Sequence, residues 1–339
     1  MSTNELTISK SKISEKSKNN TFEIIRLLLP ILGLFILEIN YFFTPNYLGQ
    51  QTTTIYPTIS GIFGALYLIL LIFFRDKQIY KNKISIKTIL YEKAPLYFVV
   101  SLLFIFWDTI TLKTGILPLP YFPWMDRIIN SAITDRAILA ASVSASLKLL
   151  GTGYIAGALI GFITGVLAGW NEKWNYWITP LTKLIGPIPV TTWIPIVMLL
   201  APSNFSGSVF LIALGVWFPV SITTSSGVSS VRRAFFEVAK TLGADEKFLI
   251  FNVAIPAALP NVFIGLFQGM GVACATLIVA EMMGVKAGLG WYITWSIGWA
   301  EYSKVFASIL IICITFTAVN SLLNVVKNKV LSWQKGVVK

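Results

Sequence analysis

The chain has 339 residues, of which 55% are hydrophobic and only 12% charged, with a mean hydropathy of +0.73. Soluble domains carry about 25% charged residues, so half that share excludes an ordinary soluble core and indicates a polytopic protein of the lipid bilayer. The net charge of +12 falls in short basic clusters beside apolar runs, which argues against a nucleic-acid partner, and the absence of histidine excludes zinc–histidine sites and histidine-based catalysis.

In chain order, residues 1–22 are polar, rich in Ser, Lys and Asn, and followed by no small-residue cleavage site. They read as a disordered cytoplasmic tail and not as a secretory signal. Uncharged runs at Gln51–Phe74, Leu149–Asn171, Leu184–Val231, Phe248–Ala280 and Val305–Val326 each reach or exceed the ~20 residues that cross hydrocarbon. Eight spans are predicted, near 24–43, 55–74, 95–112, 147–169, 185–201, 208–228, 257–282 and 305–326. Glu38, Asn40 and Asp108 interrupt the first and third. The run from Leu184 to Val231 holds two helices, separated at Pro202–Gly207. Cys274 and Cys313 both lie in apolar runs and read as small core residues rather than a disulfide or metal pair. Trp291, Trp295 and Trp299 recur every four residues, as an interfacial aromatic anchor would. A final tail covers 331–339.

The distribution of Lys and Arg orients these spans. With the N-terminus inside, 21 of the 27 basic residues fall on the cytoplasmic side, leaving Lys113, Arg127, Arg136, Lys148, Lys286 and Lys304 outside. That bias predicts cytoplasmic N- and C-termini in a cell membrane. It also places residues 229–256 on the cytoplasmic face.

Those residues contain FFEVAKTLGADEKFLIFNVAIPAALP, a charged, glycine-broken stretch between two apolar runs. Val231, Phe235, Val238, Ala239 and Leu242 share one helical face. Gly243 suits a left-handed helix end, Asp245 an N-cap for a second short helix, and Pro256 the entry to the next span. A patterned amphipathic loop of this length is better explained as a docking surface than as a plain connection; a helix resting on lipid is the alternative.

Glu237-Val-Ala239, then Gly243, then Val253-Ala-Ile255-Pro256 resembles the "EAA" loop of ABC-importer permeases, with the same spacing throughout. Val238 and Ile255 depart from the family's usual Ala and Leu, and both remain apolar. IGPIPVTTWIPIVML at 185–199 and VAEMMGVKAGLGWYI at 279–293 resemble the nitrate, sulfonate, taurine and bicarbonate branch. The resemblance runs from about Leu117 to Val326. It implies an all-α permease core of about six spans (94–330), preceded by an additional N-terminal hairpin and basic loop (23–93). It further implies a cytoplasmic ABC ATPase dimer, a second permease copy and an extracytoplasmic solute-binding protein as partners, with a small anion as cargo. ATPase coupling is carried over to Glu237, Ala239, Lys240, Gly243, Ala244 and Pro256.

The chain contains no Gly-x4-Gly-Lys-Ser/Thr phosphate loop, so ATP hydrolysis is expected of a partner; no cofactor, metal or catalytic residue is expected. For the solute path, Pro187, Pro189 and Pro195 should break the fifth span, and such breaks line cavities. Glu281 is an intramembrane acid, read either as a path or gate residue or as an exposed span end. A self-sufficient secondary transporter or channel is the competing reading, for which more intramembrane acids and no docking loop would be expected.

Overall fold

The computed structural model describes residues 23, 25–73 and 86–333, and every regular element among them is helical. The N-terminal tail, the basic loop at 74–85 and residues 334–339 lie outside the described residues. Seven helices are long and apolar enough to cross a membrane, and a pair bent by 86° brings the number to as many as eight. The chain divides into two compact units, one running to Thr134 with Ala300–Ala307 added, the other comprising Asp135–Trp299 and Ser308 onward.

The first unit contains α1 (Ile25–Phe43), α2 (Ile55–Phe73), α3 (Ile86–Asp108) and α4 (Met125–Thr134). A π-helical turn, Thr109–Lys113, continues α3. Three charged side chains are buried where these helices end. Lys113 Nζ donates to the carbonyls of Tyr41 and Thr44 at 2.7 Å each and to Asn46 Oδ1 at 2.8 Å, so a cation meets the C-terminal end of α1. Asp126 accepts from Thr53 N at 2.7 Å, Thr53 Oγ1 at 2.6 Å and Tyr56 N at 3.3 Å, holding the start of α2. Asp108 Oδ1 accepts from Met125 N at 3.2 Å, at the first residue of α4. Leu37, Tyr41, Tyr56, Leu112 and Trp124 pack around them. Asp108, which interrupts its span in the sequence, is therefore buried and bonded rather than placed at a surface.

The second unit is organised around α5 (Arg136–Trp170), α8 (Asn204–Ser229) and α11 (Ile255–Met283). Gly153, Gly157, Gly161, Gly165 and Gly169 recur every fourth residue of α5 and meet α8 running parallel to it. A Cβ at these glycines would press on the carbonyls of Val209, Ala213, Trp217, Ser221 and Ser225 in turn. Only the missing side chains allow this approach, the small-residue packing by which helices associate without help from hydrophobicity in lipid. Gly265 and Gly269 bring α11 antiparallel against Pro219, Val220 and Val216. The core so enclosed includes Leu149, Ile212, Val216, Val220, Met270, Cys274 and Leu277. Thr164 ties the seam laterally, accepting from Trp217 Nε1 at 3.1 Å and lying 3.1 Å from Ser221 Oγ.

Three expectations change. The fifth span is not a single helix from 185 but a bent pair: α6 (Glu172–Ile185), then a 3-10 turn (Val190–Trp193) leading into α7 (Ile194–Leu200). The segment 172–185 alternates Lys, Asn and Thr with aromatics, so apolarity alone starts the span too late. The seventh span begins at Glu246, since the second loop helix runs without interruption into α11. Cys274 is a core residue, but Cys313 is exposed on α13 (Tyr302–Val330), because a lipid-facing surface is as apolar as a core.

The seam yields a paired prediction. Gly157→Ala should destabilise the protein by about 1–3 kcal/mol through overpacking, whereas Gly151→Ala, whose Cβ would meet nothing within 4 Å, should leave stability unchanged or raise it. Melting temperatures in detergent measure both; equal losses would contradict the close approach.

Candidate functional site

The loop after α8 begins with α9 (Arg233–Thr241). Its end is a Schellman motif: Ala244 N donates to Ala239 O at 3.0 Å, and Gly243 N to Lys240 O at 2.9 Å. Gly243 stands at φ +84° with open space where a Cβ would be, so glycine is required there for its backbone angle alone. Asp245 then caps α10 (Glu246–Phe248), accepting from Phe248 N at 2.9 Å. A π-helical turn, Leu249–Ala254, carries α10 into α11, with Pro256 in the first turn of α11, where no N–H is needed.

The two sides of α9 face different surroundings. Phe236 turns inward, packing edge-on to Trp170 at 5.6 Å and against Val228, Ala254 and Ala258. Trp170 Nε1 also donates to Glu246 Oε1 at 3.2 Å, fastening the loop to the end of α5. Phe235, Val238 and Leu242 face outward, 55%, 60% and 84% exposed, and Phe248 and Phe251 are exposed on the next segment. Of the residues expected in coupling, Glu237, Lys240 and Gly243 are exposed, while Ala239, Ala244 and Pro256 are partly buried beneath them. The structure thus brings all six into one compact helix–turn–helix with an apolar outer face.

The residues expected along a solute path separate into two places. Pro187, Pro189 and Pro195 are all exposed at the bend between α6 and α7. Glu281 is elsewhere, 1% exposed near the end of α11. Ser146 Oγ of α5 donates to its Oε1 at 2.7 Å, and Gly290 N to its Oε2 at 2.8 Å. Leu289 N donates to the same Ser146 hydroxyl at 2.9 Å. The carboxylate therefore binds the first turn of α12 (Leu289–Gly298), where the helix dipole favours negative charge. Gly288, at φ +124°, lies against it so closely that a Cβ would overlap the carboxylate. This enclosure overturns one of the two readings of Glu281: it is no exposed span end. Trp291 and Trp295 stack at 6.2 Å on α12, and Trp299 follows it, strongly exposed.

Ser146 and Gly288 were not singled out in the sequence. The only local signal is the spacing of Glu281 to Gly288 and Gly290 within EMMGVKAGLG; Ser146 is 135 residues away in the chain.

The comparisons with known proteins agree with this fold. Residues 157–332 match the family described as binding-protein-dependent transport system inner membrane component. A Bacillus subtilis protein with the provisional name aliphatic sulfonates transport permease protein SsuC is 32% identical over 184 residues, covering 54% of this chain and 67% of that one. The bicarbonate transport system permease protein CmpB of Synechococcus elongatus is 28% identical, covering 60% and 69%. The taurine transport system permease protein TauC of Escherichia coli is 26% identical, covering 70% and 88%. Among solved structures, a crystal structure of an amino acid ABC transporter aligns with TM-score 0.51 and 15% identity over 59% of this chain and 97% of that one. The MetNI methionine ABC transporter, in inward-facing conformations, gives 0.50 and 15% over 58% and 98%. At that identity the two structures speak for the fold.

Removing the Glu281 carboxylate would leave the Ser146 hydroxyl and the Gly290 N–H buried without their acceptor. Glu281→Ala should cost about 3 kcal/mol, with Glu281→Gln intermediate, because its amide oxygen replaces one acceptor of two. Melting temperatures that fail to order wild type above Gln above Ala would contradict the assignment.

Proposed function

Because the chain belongs to the binding-protein-dependent transport system inner membrane components, we propose that it is the membrane subunit of an ATP-binding-cassette importer, forming the path for a small anion. Its partners are two cytoplasmic ATPase subunits, a second permease copy and a separate solute-binding protein. The relatives named for sulfonates, bicarbonate and taurine support an anionic cargo of that kind. The bias of Lys and Arg supports cytoplasmic termini and a cytoplasmic α9.

The observation that carries this reading is the outer face of α9. Three large apolar side chains at i, i+3 and i+7 stand exposed on a helix whose other side is anchored by Phe236 and whose end is fixed by Gly243. An amphipathic helix presented in this way fits a groove on a partner. Glu237, Lys240 and the turn at Gly243 and Ala244 give that contact its orientation. Movement of the ATPase reaches the membrane through α9 and the unbroken run Glu246–Met283. A transporter that worked alone would have no use for such a face.

Burying Leu242 against a partner is worth about 1.5–3 kcal/mol, so Leu242→Asp should weaken ATPase capture by roughly tenfold or more while leaving the melting temperature unchanged. Gly243→Asn, which tolerates the left-handed region, should keep most ATP-dependent uptake; Gly243→Val should abolish it. Co-purification of the ATPase and uptake into proteoliposomes read both. Uptake that persists without any ATPase subunit would establish the self-sufficient transporter instead.

A further inference from the structure

Gln268 lies close to the middle of the 29-residue α11 and is exposed. An amide in the middle of a span is costly against lipid, yet this one has no hydrogen-bond partner among the described residues. Gly271 beside it is also exposed, and a Cβ there would meet nothing within 4 Å. This is unlike the seam glycines, whose missing side chains are filled by a neighbouring helix. One turn after Gln268, Val272 packs into the gap left by Gly215 of α8, and Val190 enters the same gap from the broken span. The 3-10 turn Val190–Trp193 packs against both α8 and α11. Next to Val190, Thr191 is exposed, and its hydroxyl likewise has no partner among the described residues. The indole N–H of Trp193, shielded from solvent, has no acceptor among the described residues.

The bend therefore brings irregular backbone, with a hydroxyl and an indole N–H next to Val190, to the middle of α8, within one turn of the amide of Gln268 and beside Val272, which follows the open Gly271. Non-helical backbone at that depth is tolerated only where it is covered by protein or lines a water-filled cavity. Pro187 and Pro189, both exposed, show that this backbone is not covered within the chain. Building on the importer reading, we infer that Thr191, Gln268 and the space beside Gly271 form a solute-binding wall of the transport path, taking a small oxyanion through uncharged donors. Neutral donors suit the task because a path must bind its solute weakly enough to release it. A lysine at this depth would retain the anion.

Two measurements test this, and neither depends on ATPase docking. In a Cys313→Ser background, which removes the exposed native thiol, Gln268→Cys and Thr191→Cys are treated in membrane vesicles with the anionic reagent methanethiosulfonate ethylsulfonate. The comparison is Leu159→Cys, on an exposed apolar face of α5. Thiolates form in water and not in lipid, so the two path cysteines should react several times faster than the one at 159. Nitrate, taurine or bicarbonate should slow that reaction. Rates equal to that of Leu159→Cys, or indifference to all three anions, would overturn the inference. The second variant is Gly271→Trp, which fills the open space without disturbing a packed contact. It should retain the wild-type melting temperature and ATPase co-purification while losing uptake; normal uptake would overturn the inference as well. Failure of ATPase capture by wild-type protein would instead count against the importer reading and leave the labelling result standing.

Discussion

The contact on which the second unit depends is made, on one of its two surfaces, by residues without side chains. Five glycines of α5 lie on five carbonyls of α8, and that proximity sets how every other helix of the unit is placed. Lipid tails are as apolar as leucine, so hydrophobicity cannot drive two membrane helices together; dispersion between closely fitted surfaces can. Once α5 and α8 are joined, the glycines of α11 find the adjoining side of α8, also at Val216 and Val220, and the apolar core closes between the three. The bent pair is left with one face on α8 and α11 and the other open.

From this core the two ends of α11 carry different duties. At one end its helix continues through a π-helical turn to α10 and the outward face of α9. At the other, Glu281 holds the first turn of α12 and a hydroxyl of α5. A displacement imposed on the loop is thus applied to a helix whose far end is bonded, not free. Between the two ends lie Gln268 and Gly271, both exposed.

How much of this could be read from the sequence follows from how local each cause is. The end of α9 at Gly243 and the cap at Asp245 were legible, because both are settled within six residues. The spans were legible from apolarity, but α6 was not, since its aromatic and polar residues dilute the signal. The glycine spacing of α5 lies in plain view in the sequence and went unread, because averaging hydropathy along a span discards a period of four. The partners of Glu281 and Lys113 could not be read, for their contacts join residues 135 and 72 positions apart. A charge alone in an apolar run says that something must satisfy it, not what does.

The glycine seam carries one more consequence. Both of its surfaces repeat every four residues, glycines on α5 and carbonyls on α8, and the helices run in the same direction. Sliding one past the other by four residues, about 6 Å, would set most glycines against an equivalent carbonyl. The seam therefore specifies that the helices meet, but hardly at which offset. What distinguishes the offsets includes the polar contacts of Thr164 with Trp217 and Ser221, and the bond from Ser146 of α5 to Glu281 of α11, none of which survives a slip. A few hydroxyls, and not the glycines, hold the register of this interface.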